Sequence, residues 1–195
     1  MELDGPEFRP EEIVGARLRD GTPVRVRPAR AHDRSAVLAF VRGLSLDSFE
    51  LRFFSAVHAE LAVDEILAPP ASGARLSLLM ESLVDSEIIA QGEFDRSRAT
   101  PTEAEVAFLV ADGHQGQGAA TLLLWELARR GRRAGIRRFT AIVLPENFVM
   151  RAVFLAAGFP CLLSYSEGET RVEMDIAREP QLALCVLARP GEANR

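Results

Sequence analysis

Gln115-Gly116-Gln117-Gly118-Ala119-Ala120 follows an apolar run, Val106 to Val110, and opens a helical stretch from Ala119 to Arg130. Strand, glycine-rich turn and helix is the order that aims backbone N–H groups at a phosphate. Glycine lets the backbone approach an anion, and the helix N-terminus adds the positive end of its dipole. The spacing is not GxxxxGK[ST], because no lysine follows. It is not GxGxxG either, because Thr121 stands three residues after Gly118. The stretch implies a phosphate-cradling loop of another type.

The periodicity around this loop places it centrally. Upstream, Val24, Val26 and Pro28 alternate with Arg25 and Arg27, a strand period. Asp33 begins an amphipathic helix with Val37, Leu38, Val41 and Leu44 on one face. Ser45 reads as the N-cap of a second helix running through Phe53-Phe54, and a short third helix from about Val63 to Leu67 stops at Pro69-Pro70. Leu76 to Val84 and Glu87 to Phe94 form a hairpin, and Glu105 to Val110 is the strand that feeds the loop. Beyond it, Ala120, Leu123, Leu124, Leu127 and Ala128 make one helical stripe. Phe139 to Leu144 reads as a strand, Asn147 to Ala157 as a helix stopped by Gly158-Phe159-Pro160, and Leu162 to Ser166 with Thr170 to Ile176 as a last hairpin. The order is a mixed α/β domain, mainly antiparallel, with one central strand–loop–helix–strand unit. It is expected over residues 17–178, with an extension at 1–16 containing a short helical piece and a tail at 179–195.

Composition narrows the function. A net charge of −5 over 195 residues argues against nucleic acid as the main partner. No apolar run approaches the ~20 residues of a membrane span. Met1-Glu2-Leu3-Asp4 is not a secretory leader. Cys161 and Cys185 make neither a disulfide framework nor a metal site, and fit buried thiols in a reducing, cytoplasmic setting. His32, His58 and His114 share no metal spacing, so no metal is assigned. All 23 basic residues are arginine, which excludes lysine-nucleophile and P-loop-lysine mechanisms. Arg129, Arg130, Arg132 and Arg133 gather where the helix after the loop ends. Interaction with the helix dipole accounts for them, and contact with a cofactor phosphate is a second reading.

Gln115-x-x-Gly118-x-Ala120 resembles the Q/R-x-x-G-x-G/A signature of the GCN5-related N-acetyltransferases (GNAT). Asn147 opening a helix that ends at Gly158-Phe159 resembles a second element of that fold. Together they imply an α/β (α+β) GNAT fold: a mixed, mostly antiparallel sheet flanked by helices, with splayed central strands. Within the family, several segments look like the bacterial Pat-type protein lysine acetyltransferases. They are Asp20-Gly21-Thr22-Pro23, Arg27-Pro28-x-Arg30, Leu44-Ser45-x-x-Ser48, Leu51-Arg52-Phe53-Phe54-Ser55 and Ala104-Glu105-Val106-Ala107-Phe108. Pat-type proteins often carry a second, regulatory domain, and a chain of this length is expected to lack a cyclic-nucleotide or acyl-CoA-synthetase-like domain.

The resemblance implies acetyl-CoA between Glu105–Val110 and Phe139–Leu144. The pyrophosphate would lie on N–H groups of Gln115, Gly116, Gln117, Gly118, Ala119 and Ala120, and the pantetheine along Phe108, Leu109 and Val110. With glutamine at 115 and 117, the loop would depend on backbone dipoles. Amine acetylation needs a neutral amine, and a free lysine has a pKa of about 10.4. From the residues alone Glu105 reads as a solvent-facing strand carboxylate; Pat-type proteins use a Glu at the motif position held here by Glu105 as the base, and Glu103, one strand period away on the same face, is the fallback. Many GNAT enzymes protonate the leaving thiolate from a tyrosine four residues before the helix-ending glycine. Here that residue is Phe154, and the only tyrosine is Tyr165. The thiolate then takes its proton from water or leaves without one, which a thiol pKa near 8.5 tolerates. Phe154 could still pack on the cofactor or simply in the core. Asn147 suits a cofactor contact or an N-cap equally, and Arg52, Phe53 and Phe54 suit the acceptor groove or ordinary helix packing. The expected activity is acetyl transfer to a lysine of a protein such as an acyl-CoA synthetase. The alternatives are a small amine acceptor and a non-catalytic acyl-CoA-binding module.

Overall fold

Apolar and basic residues alternate along Pro23–Pro28, and in the computed structural model this segment is a strand with Val24 and Val26 buried and its arginines on the opposite face. The structure describes residues 14–53, 58–68, 74–166, 168–181 and 185–187. In chain order the strands are β1 (Val14–Arg17), β2 (Pro23–Pro28), β3 (Arg75–Ser82), β4 (Ile88–Arg96), β5 (Glu103–Val110), β6 (Arg138–Val143), β7 (Cys161–Ser166), β8 (Glu169–Asp175) and β9 (Cys185–Leu187). The helices are α1 (Arg34–Arg42), α2 (Leu46–Phe53), α3 (Ala59–Ile66), α4 (Ala119–Arg133) and α5 (Phe148–Ala156), with 3-10 turns at Ala31–Asp33 and Asp112–His114.

The strands form one sheet in the order β1-β2-β3-β4-β5-β6-β8-β7-β9. Pairing is antiparallel except for β5–β6 and β7–β9. The parallel pair is the outcome of the strand–loop–helix–strand unit, whose helix α4 returns the chain for β6 to lie beside β5. Val14–Arg17, around the end of the expected extension, pairs with β2, and Val14 and Ala16 pack on the core. β9 lies within the expected tail and pairs with β7.

Two cores lie on opposite faces of the sheet. The larger is built by α4 and α5, where Leu123, Leu124, Leu127 and Phe154 meet Phe94, Phe108 and Phe139. The smaller is closed by α1 and α3 over Leu79, Ile88 and Leu109. The period-2 rule explains the division along β5: Ala104, Val106 and Phe108 face α4, while Leu109 joins the other core.

Two expectations change. Cys161 is disulfide-bonded rather than a free thiol, and the β7–β9 register sets it opposite Cys185. The arginines closing α4 lie at the end away from the glycine loop, roughly 16 to 22 Å along the helix from Gly118 at about 1.5 Å per residue. Arg129 and Arg130 are engaged by Glu126, and Arg132 by Glu179. Their distance from the loop, and the carboxylates on Arg129, Arg130 and Arg132, end their reading as phosphate ligands.

Candidate active site

The β5–β6 ladder has three pairs, Glu103 with Arg138, Ala104 with Phe139 and Glu105 with Thr140, and then stops. Beyond Glu105 the strands diverge, and the β6-facing edge of β5 has no strand partner. Unpaired backbone N–H and C=O groups demand partners of some kind. They border a cleft of about 530 Å³ walled by Val106–Val110 on one side, Ala141–Val143 on the other, and α5 from Asn147 to Phe154. The splay is the wedge that the resemblance implied, with Glu105 at its apex.

The glycine loop closes one end of the wedge. Gly116 has φ +71° and Gly118 has φ +92°, a left-handed conformation that a side chain disfavours. Gly118 is the N-cap of α4, so the first N–H groups of that helix open toward the loop. A turn with two glycines that lack β-carbons, set at a helix N-terminus, fits a pyrophosphate.

Most of the expected cofactor residues meet here. Phe108, Leu109, Val110, Gln115, Gly116, Gly118, Ala119, Ala120, Asn147 and Phe154 all line the cleft. Gln117 does not; its carbonyl accepts from the backbone N–H of Arg19 at 3.0 Å. The Gln115 side chain bonds to α2 and to the turn before the loop. Its Nε2 donates to Ser48 Oγ at 2.9 Å and to Asp112 Oδ1 at 3.3 Å. Asn147 caps α5, accepting from Met150 N at 3.0 Å. Phe154 is 1% exposed and meets Phe108 edge-on at 6.2 Å between centroids, so it serves the core and the cleft wall together.

Glu105 lines the same cleft, at its apex, and is exposed to solvent. Among the described residues its carboxylate has no hydrogen-bond or ion partner. Glu103, two residues away, is paired with Arg138 at 3.1 Å.

On the acceptor side the three expected residues separate. Arg52 lines the cleft, but its guanidinium bonds Glu93 at 2.8 Å and Glu65 at 3.3 Å. Glu93, 6% exposed, is completed by Arg75 at 2.7 Å and by Gln91 Nε2 at 3.0 Å. A buried carboxylate held by two guanidinium groups fastens α2 to the sheet. Phe53 packs on Phe49 at 4.7 Å, beneath the Arg52 guanidinium, and does not line the cleft. Phe54 lies outside the described residues.

Two residues that brace the loop and α2 were missed. Asp112 accepts from Ser45 N and Ser45 Oγ, each at 2.8 Å, and from Ser48 Oγ at 2.6 Å. Those bonds, the Ser48 one first, hold its carboxyl below the usual carboxylate range. It ties the start of α2 to the segment that leads into the glycine loop. Arg19 is the other. Its side chain reaches the loop and donates to Gly116 O at 3.3 Å. Ser45-x-x-Ser48 beside an acidic turn hints at the first; nothing in local spacing signals the second, 97 residues from its partner.

The comparisons with known proteins agree with this geometry. The Acetyltransferase (GNAT) family profile matches residues 44–159. Acetyltransferase Pat of Mycolicibacterium smegmatis is 29% identical over 140 residues, 72% of this chain and 42% of that protein, so the chain spans less than half of that relative. Acetyltransferase PA5475 of Pseudomonas aeruginosa is 30% identical over 148 residues, 73% of this chain and 77% of its own. The crystal structure of the GNAT domain of S. lividans PAT superposes with a TM-score of 0.77 at 35% identity, covering 87% of this chain and 99% of that one. Among the described residues no helix is long and apolar enough to cross a membrane. The cleft, the loop and these relatives place the chain in the GNAT family of acetyltransferases, as an acyltransferase similar to Pat.

Proposed function

We propose that this chain transfers the acetyl group of acetyl-CoA to the side-chain amine of a lysine on another protein, with Glu105 as general base. GNAT acetyltransferases use acetyl-CoA, and this cleft suits it. Glycines without β-carbons face a helix N-terminus, and a free strand edge runs alongside. The observation that carries the reading is the isolation of Glu105: an exposed, unpaired carboxylate at the apex of the splay, beside a Glu103 that is neutralised by Arg138.

When bound, acetyl-CoA supplies an acyl group activated as a thioester. The chain's own residues do the rest. The loop amides and the head of α4 hold the anionic end. The free edge of β5 aligns the extended arm. Glu105 takes a proton as the amine nitrogen becomes an amide nitrogen, and passes it to solvent. Phe154, where many relatives have tyrosine, cannot donate a proton, so the departing sulfur leaves as thiolate or takes its proton from water.

The lysine acceptor is supported by the similarity to Pat and to the S. lividans PAT domain, and by an α2 whose Arg52 is fixed at the cleft rather than free to wander. The test incubates the protein and acetyl-CoA with folded acyl-CoA synthetases and, separately, with amino acids, polyamines and aminoglycosides. Mass spectrometry reads the products. The chain has no lysine, so it cannot contribute a self-acetylated lysine signal. A 42 Da gain on a synthetase lysine is expected. Higher kcat/KM on a small amine with no protein product would move the activity to small amines. Cofactor binding with no product would make the chain a non-catalytic acyl-CoA-binding module.

A further inference from the structure

The loop that receives the pyrophosphate carries no cation of its own, since Gln115 and Gln117 stand at the positions that are basic or polar in the family. A diphosphate held only by amides leaves much of its charge uncompensated. Two arginines line the cleft, Arg19 and Arg52. Arg52 is already engaged by Glu93 and Glu65. Arg19 has no carboxylate partner among the described residues.

Arg19 follows β1 and is held against the loop by two bonds. Its backbone N donates to Gln117 O at 3.0 Å, and its Nη1 to Gly116 O at 3.3 Å. Its Nε lies 3.8 Å from the point that a β-carbon on Gly118 would occupy. The guanidinium therefore lies over the two left-handed glycines. Among the described residues Nε and Nη2 donate to nothing, so two N–H-bearing nitrogens remain for a ligand.

We propose that Arg19 is a cofactor-binding residue whose guanidinium contacts the pyrophosphate of acetyl-CoA, supplying from the edge of the sheet the charge that the loop lacks. The inference rests on the acetyl-CoA reading of the cleft. A planar fork with several donors suits two phosphate oxygens. The backbone bond from Arg19 to Gln117 does not need the side chain, so replacing the side chain leaves the loop braced at that point.

The test is calorimetric binding of acetyl-CoA, dephospho-CoA and S-acetyl-pantetheine to wild type, Arg19→Met, Arg19→Gln and Arg19→Lys, with folding of each checked by circular dichroism. Met and Gln are expected to weaken acetyl-CoA and dephospho-CoA alike by about tenfold, to leave S-acetyl-pantetheine unchanged, and to flatten the salt dependence; Lys is expected to retain most of the affinity. Gln matching wild type would overturn the proposal in favour of a neutral brace on the Gly116 carbonyl. A defect confined to acetyl-CoA and absent with dephospho-CoA would overturn it by moving the contact to the 3′-phosphate. Unchanged binding in all variants would remove Arg19 from the site while leaving the cleft assignment standing. If wild type bound none of the three ligands, the acetyl-CoA reading itself would fall.

Discussion

Glu103 and Glu105 point to one face of β5, two residues apart, and chemistry separates them. Glu103 has a guanidinium at 3.1 Å; Glu105 has an open cleft and no partner among the described residues. A general base must be free to accept a proton and must reach the reacting nitrogen. General-base contributions are typically about 100- to 10,000-fold in rate. Glu105→Gln keeps the shape and removes the basicity. Its kcat/KM at neutral pH is expected to fall within that range while acetyl-CoA affinity, measured by calorimetry, stays within about twofold of wild type. Glu103→Gln is expected to keep most of its activity. A Glu105→Gln enzyme within about threefold of wild type would hand the proton to water or to Glu103. The resemblance to the Pat type singled out Glu105 by its motif position, and the structure sets that residue where the β5–β6 ladder ends and the cleft begins. Motif position could not find the pairing of Glu103, because Arg138 comes from another strand and arrives only when β5 and β6 join.

At the scale of elements, α2 and the glycine loop behave as one piece. The Asp112 carboxylate accepts from both serines of Ser45-x-x-Ser48, and Gln115 Nε2 bonds the same cluster. Ser48, Leu51 and Arg52 of that helix border the cleft on the side proposed for the acceptor, while Gln115 and Gly116 border it on the side proposed for the cofactor. The Asp112 cluster and the Arg52–Glu93 pair thus both fix α2 against the cleft. Asp112→Ala removes four hydrogen bonds to a charged group and frees the start of α2. The expected result is an acceptor KM raised about tenfold at saturating acetyl-CoA, with cofactor affinity changed by less than about twofold. Steady-state kinetics with the acceptor varied checks this, and an unchanged acceptor KM would mean that α2 is held by the Arg52–Glu93 pair alone. Periodicity made these helices and strands legible: α1, α4 and β2 to β8 stand where the apolar spacing puts them. Two features were not legible. Val14–Arg17 is short and follows a polar stretch, so its strand character shows only in its ladder with β2. The splay is invisible because β5 and β6 each read as ordinary strands; their divergence is a relation between them.

Across the whole molecule, buried carboxylates held by arginines make stability depend on acid. Arg27 bonds Asp33 at 2.8 Å and Glu81 at 3.2 Å, and Arg25 bonds Glu81 at 2.6 Å, linking β2, β3 and the turn into α1. Glu126 is held by Arg129 and Arg130 inside α4. Burial pushes the Asp33, Glu81 and Glu126 carboxyls up, but the arginine hydrogen bonds together with the neighbouring charges outweigh it and hold all three below their ordinary values. A carboxyl whose folded pKa is depressed stabilises the fold above its unfolded pKa, about 4, and loses that contribution as pH falls through the folded value. Stability from urea denaturation is therefore expected to be level from about pH 7 to 5 and to fall steadily below about pH 4 as the three sites take up protons on unfolding. Glu81→Gln is expected to lower the neutral-pH stability by about 2 kcal/mol, because two arginines lose a charged acceptor, and to make the acid slope shallower. A wild-type profile flat from pH 6 to pH 3 would show that the unfolded chain holds these carboxyls as low as the folded one does. A Glu81→Gln profile parallel to wild type would take Glu81 out of the acid response and leave it to Asp33 and Glu126.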